Sequence, residues 1–477
     1  MKPSCRTVFV AVISSVLAVY VFAAETASEN LPPEKNIYAE KGFIHVLGPS
    51  PALVPGEEDS AWDSRFTESG DVFKDVDTYY WYYHARSDDR ERWPGAYRIG
   101  VATAPTPLGP WKKYENNPVL DHGPEGSWDQ DSVDGAVIMK EGAYDVGRGS
   151  ETYFMWYAAS GPTGRHIGLA TASNPLGPWK KHEGNPIVKD FGYLGGVVKV
   201  DGKFFMFVQY PVEVTDQGPF RVAMAEKPEG PWTKYEGNPV MTPGDWGAWD
   251  DGGYSEARVR YHEGVFHMFY GGTKTSKIES IGYAYSFDGF NWIKYGANPV
   301  VDLSRVPDGS GFAEVHAYIE GPFVYVYHTL RTFSKNPQNY REWETEDLAV
   351  QVLTIDPRFK IAMPILFVDI LAAGQCSRLQ DCLPIGLESA SNLAISTECT
   401  YGGDPRAGLL AHLRTSENGV IWDTVDYDTF ELPFDPGKTV KKTVALSPKV
   451  KFVKVLVENP DESHSVTSVK ITATIGN

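Results

Sequence analysis

Acidic residues recur at matched positions in this chain, and carboxylates brought together can transfer protons, bind sugar hydroxyls or hold a cation. Five short segments, GDVFKD, DGAVIMKEG, GGVVKVDG, EARVRYHEG and EVHAYIEG, align on one apolar position. Three residues before it stand Ser69, Asp134, Gly195, Glu256 and Glu314, an acid in three of five copies. A second acid set lies further upstream in Trp-Asp pairs, Trp62-Asp63, Trp128-Asp129 and Trp249-Asp250, the last followed by Asp251. Any one of these acids reads as a turn cap. Their recurrence at the starts of equivalent segments is what points to chemistry.

The elements that must position them are repeats. LGPWKKYENNPVL, LGPWKKHEGNPIV, EGPWTKYEGNPVM and DGFNWIKYGANPVV carry Trp111, Trp179, Trp232 and Trp292, spaced 68, 53 and 60 residues apart. That period is too long for a solenoid helix pair and suits a unit of four strands. Ahead of each phrase come an aromatic strand, such as TYYWYYHAR or ETYFMWYAA, and a further strand, such as YRIGVATA or HIGLATAS. A fifth copy, GPFVYVYHT with DLAVQVLT, lacks the phrase. The expectation is an all-β chain: a five-bladed β-propeller over residues 36–360, its innermost strands facing the axis, then a C-terminal β-sandwich over 364–477. In such a fold the GPW and NPV residues are scaffold.

Bulk properties agree with this outline. A chain of 477 residues, with 13% aromatics, 46 Gly and 34 Pro, fits two domains rich in short strands and turns. Lys2 and Arg6 precede an apolar run from Val8 to Ala23, which reads as a signal peptide over residues 1–23 and predicts a secreted, periplasmic or extracellular protein. Removing both cations takes the formal charge from −18 to −20, which argues against nucleic acid as partner and, once the signal is cleaved, against a membrane. Cys376, Cys382 and Cys399 remain after cleavage, and the sequence leaves open one disulfide with a spare thiol or three free thiols.

Five repeats with an acid opening the inner strands, an aromatic strand followed by GPW, and an export signal resemble the five-bladed glycosidases of glycoside hydrolase family 43, with families 32, 62 and 117. The resemblance covers the repeats and not the C-terminal region. It implies a hydrolase acting on plant or algal oligosaccharides or polysaccharides, by inversion, with Glu256 as acid and Asp63 as base. The third repeat has Gly195 where that family has Asp, so Asp134 or Asp190 would substitute. His316 falls where such enzymes hold calcium or water near the axis, making Ca2+ the one cofactor the resemblance admits. The catalytic set is therefore Asp63, Asp134 and Glu256. The substrate-binding set is Trp62, Trp128, Asp129, Trp249, Asp251, Arg258, Glu314 and His316, the tryptophans as stacking walls and Arg258 as a clamp for a carboxylate or sulfate. The alternative reading is a propeller that binds carbohydrate without cleaving it.

Overall fold

The computed structural model describes residues 35–477 except 142–150, 210–217, 275–278, 306–309, 334–342, 418, 420 and 448. The signal segment expected over 1–23 lies outside the described residues, and residues from Asn36 onward form one compact unit.

Each of the five repeats opens with the expected strand: Phe66–Asp75, Ser132–Glu141, Tyr193–Val200, Gly253–His262 and Ser310–Glu320. The aromatic second strands follow at Thr78–Arg86, Thr152–Gly161, Lys203–Gln209, Val265–Thr273 and Phe323–Phe333. Third strands follow at Arg98–Ala104, Gly164–Ala172, Phe220–Ala225, Glu279–Ser286 and Trp343–Thr354, all antiparallel. Asp201-Gly202 and Glu263-Gly264 both take left-handed φ values, 49° and 82°, then 48° and 80°, which suits two-residue hairpin turns between strands of native twist.

Strand pairing corrects the expected architecture. The described strands form six separate sheets, none of which closes on itself, so a five-bladed propeller is not what the chain builds. Repeats one to three keep sheets of their own. Repeats four and five are fused into one eight-stranded sheet through the bridged pair Glu279 and Phe312. The fifth repeat has no fourth strand from its own sequence. Ile44–Leu53 from the N-terminal side pairs with Trp343–Thr354 instead. Beyond Lys360 the chain makes two four-stranded antiparallel sheets, in which strands such as Asn392–Tyr401 alternate between buried and less buried positions. Cys376, Cys382 and Cys399 are all free thiols.

The repeated phrases act as scaffold through identifiable bonds. Asn117, Asn185, Asn238 and Asn298 each accept from and donate to one third-strand residue, respectively Val101, Leu169, Val222 and Tyr283, so one amide side chain pins the strand beside it. Trp179 meets Tyr82 of the preceding repeat, and Trp292 meets Phe207 in the same way, with ring centroids 6.2 and 5.6 Å apart.

The five first strands pack against one another in turn, the fifth against the first. Two arginines of the fourth repeat hold them. Arg258, fully buried, donates to Leu194 O at 2.6 Å in repeat three and Ala136 O at 2.9 Å in repeat two. Arg260 donates to Ala317 O in repeat five, to Val72 O in repeat one and to the Asp71 carboxylate, which accepts from Ile138 N of repeat two. Arg258→Met would leave two buried carbonyls without these donors, a loss of about 2–4 kcal/mol. Urea unfolding followed by tryptophan fluorescence should show a clearly lower midpoint at unchanged slope; an unchanged midpoint would show that this arginine braces nothing.

Candidate active site

Every first strand loses register with its second strand near its beginning: after Ser69, Asp134, Leu194, Tyr254 and Ala313. Bulges of this kind re-aim side chains and are frequent beside active sites. Acids cluster at these irregularities. Glu68 and Asp71 flank or occupy the first, Asp134 borders the second, Glu256 lies inside the fourth and Glu314 inside the fifth. Glu314 adopts φ +49°, a left-handed conformation that a glutamate takes only when its surroundings impose it. The third repeat has Gly195, and the reason is space: a Cβ there would lie 3.0 Å from Ala257 O and 3.2 Å from Phe207 O. The missing acid thus reflects close backbone packing.

One guanidinium serves three of the carboxyl groups. Arg331 Nε donates to Glu346 Oε1 at 2.6 Å, while Arg331 Nη2 lies 3.4 Å from Glu68 Oε1 and 3.7 Å from Glu314 Oε1. Glu68 is also bonded by His84 Nε2 at 2.8 Å and by the Tyr97 hydroxyl at 2.6 Å. Burial raises the Glu68 carboxyl, but the bond and charge of His84, with Arg331 and Tyr97, outweigh it and hold Glu68 well below the usual carboxylate range. Glu346 goes the other way. Burial and then the nearby Glu68 charge push it up to about 8, against the pull of Arg331. Asp134 is a separate arm, 2.7 Å from Arg165 Nη1 and accepting from Ser132 Oγ at 2.9 Å. Ser255, next to Glu256, donates to buried Glu279 at 2.5 Å. The Glu256 side chain itself lies outside the described residues.

The Trp-Asp acids lie apart from this cluster. Asp63, Asp129 and Asp250 are each almost wholly buried and pair with the lysine of their own repeated phrase: Lys113 at 2.5 Å, Lys181 at 2.5 Å and Lys294 at 2.7 Å. Asp63 is thereby engaged as a buried counterion rather than presented as a base, and Asp129 likewise. Their tryptophans are internal packing. Trp62, Trp128 and Trp249 lie against Tyr83, Tyr157 and Tyr270, centroids 5.6 to 5.9 Å apart. They also cover Gly100, Gly168 and Gly282 so closely that a Cβ there would strike the indole. Asp251 accepts from Gly247 N within its own loop. Arg258 donates to two main-chain carbonyls.

Burial, then the charges of Arg258 and Arg260 and of His84, hold the ring of His316, the residue expected near a calcium ion, well below the ordinary histidine range. Among the described residues no group of three or more His, Cys, Asp or Glu side chains is arranged to hold one. Of the expected residues, the structure brings Asp134 and Glu314 to the bulged ends, with Glu256 there by register. Sequence reasoning missed Glu68, His84, Tyr97, Arg331 and Glu346. The one available signal was HAR at the end of an aromatic strand, a polar run where apolar alternation should continue.

No family model matches the sequence, and no curated protein matches it. Solved structures give low scores. One glycoside hydrolase is 17% identical with a TM-score of 0.46, covering 66% of this chain and 93% of its own. A glycosyl hydrolase from Bacteroides ovatus is 16% identical at 0.46, covering 65% and 93%. A family 117 glycoside hydrolase from the marine bacterium Zobellia galactanivorans is 16% identical at 0.43, covering 65% and 89%. The resemblance to family 43 expected from the repeats is corrected by the strand pairing, since the propeller that carried it is not formed. The chemistry rests on the side chains themselves.

Glu346 has a measurable signature. Its carboxyl is raised in the folded protein from an ordinary 4.5 to about 8, so between those values the folded state holds a proton that the unfolded chain releases. That contribution is present below pH about 4.5 and is lost as pH rises through 8. Glu346→Gln should flatten the decline of thermal stability between pH 5 and 8 relative to the parent; parallel curves would place the Glu346 proton elsewhere.

Proposed function

We propose that this chain is an exported glycoside hydrolase that cleaves an oligosaccharide or polysaccharide at the acidic ends of its first strands. The observation that carries the reading is the sorting of its acids. The Trp-Asp set is neutralised one to one by lysines, whereas Glu68, Glu314 and Glu346 share a single arginine at the bulged strand ends. Acids gathered at one set of strand ends can supply the two carboxyls, one protonated and one ionised, that hydrolysis of a glycosidic bond needs.

Asp134, ion-paired to Arg165, takes the part of the ionised carboxylate and removes a proton from the attacking water. Glu256, inside the bulge of the fourth first strand, delivers a proton to the leaving oxygen. The water oxygen bonds to the anomeric carbon as the carbon–oxygen bond to the leaving sugar breaks, after which Asp134 releases its proton to solvent and Glu256 takes one up. Glu314, backed by Arg331, hydrogen-bonds substrate hydroxyls. A carboxyl separation of roughly 6.5–9.5 Å leaves room for that water and gives inversion.

Incubation with plant and algal oligosaccharides, with the anomer of the first product read by NMR, tests the reading. Asp134→Asn and Glu256→Gln should each lower kcat by about 10²–10⁴-fold with little change in KM. Asp63→Asn should lower the melting temperature and keep kcat. Glycan binding without turnover in the parent protein would leave a sugar-binding protein instead, and a first product of retained configuration would exclude inversion.

A further inference from the structure

The loop that leads into the fourth first strand, residues 242–252, presents one indole to solvent. Trp246 is 93% exposed, the most exposed large hydrophobic side chain among the described residues. It stands at the tip of a loop closed on itself. Gly244 N donates to Asp250 O, Ala248 N to Asp245 O, Gly247 N to the Asp251 carboxylate, and the Lys274 ammonium to Gly247 O. Gly252 N bonds Thr273 O, which seats the loop at the strand end that carries Ser255 and Glu256.

The second repeat builds the same loop without a tryptophan at the tip. Gly123 N donates to Asp129 O, Ser127 N to Pro124 O, and Gly126 N to the Gln130 side chain. Gly126 and Gly247 share a left-handed φ, 85° and 96°. Trp128 and Trp249 fill the same inward position, whereas the tip residue is Glu125 in one loop and Trp246 in the other. The loop therefore folds equally with a charged tip, and the Trp246 indole is not required for packing. A flat apolar ring on a hydrogen-bonded loop that leads into the strand carrying Glu256 suits the C–H face of a sugar ring, and stacking there costs little conformational entropy.

Resting on the hydrolase reading above, we infer that Trp246 is a stacking platform for a sugar unit beyond the bond that is cut, which makes the preferred substrate an oligomer of several units rather than a single glycoside. Trp246→Glu, copying the sister loop, should raise KM for oligosaccharides of four or more units about tenfold, equivalent to a lost aromatic stacking contact. It should leave kcat and the hydrolysis of nitrophenyl monoglycosides unchanged, and Trp246→Phe should restore most of the affinity. An unchanged KM for the longer substrates would overturn the assignment. If the parent protein turns over no glycan, the hydrolase reading fails, and migration through native gels containing the same polysaccharides decides the platform separately. Retardation of the parent that is lost in Trp246→Glu sustains it, and equal migration of the two proteins ends it.

Discussion

Everything in the repeat region hangs on two guanidinium groups at its centre. Arg258 and Arg260 reach from one strand to the other four first strands, and Asp71 relays the second of them to Ile138 N. Main-chain carbonyls at the ends of bulges cannot find partners within their own sheets, and buried carbonyls without partners are costly. The arginines supply those partners from a neighbouring element, so the five strands are fixed relative to one another by directional bonds rather than by apolar contact alone. Burial first, and then these two cations, hold the His316 ring well below the ordinary histidine range.

Above this positive centre the acids divide by how they are neutralised. A lysine from the end of each of three repeats folds back onto the buried Trp-Asp carboxylate and closes that repeat locally. At the bulges the pairing is different: Asp134 meets Arg165, while Glu68 and Glu314 both lie beside Arg331. Glu68 takes most of the positive field from His84 and Arg331, and Glu346, left in the same buried space, keeps its proton. The opposite shifts of these two carboxyls follow from burying both beside unequal shares of positive charge.

Much of the local grammar was legible in the chain. The aromatic strands, the hairpins and the scaffold role of GPW and NPV follow from spacing and turn residues, and the structure supplies the bonds: an Asn side chain on a third strand, a Trp on the neighbouring repeat. Long-range pairing was not legible. Nothing in IHVLGPSPAL announces that it pairs with Trp343–Thr354, nor that Glu279 bridges to Phe312. Alternation placed Arg258 and Glu256 on the same face, yet two residues along a strand separate a bulged end from a sealed interior, and the arginine is spent on carbonyls. Glu68, His84 and Arg331 escaped because they come from first and second strands of two distant repeats and meet only in space.

The N-terminal strand has a consequence in time. Ile44 pairs with Thr354 and Leu53 with Leu348, so one side of this sheet is synthesised some 300 residues before the other. At about 5–20 residues per second that is roughly 15–60 s during which an apolar strand has emerged with its hydrogen-bonding edge open. A chain built this way cannot complete that sheet until the fifth repeat is made, and the pairing then joins the two ends of the repeat region like a clasp.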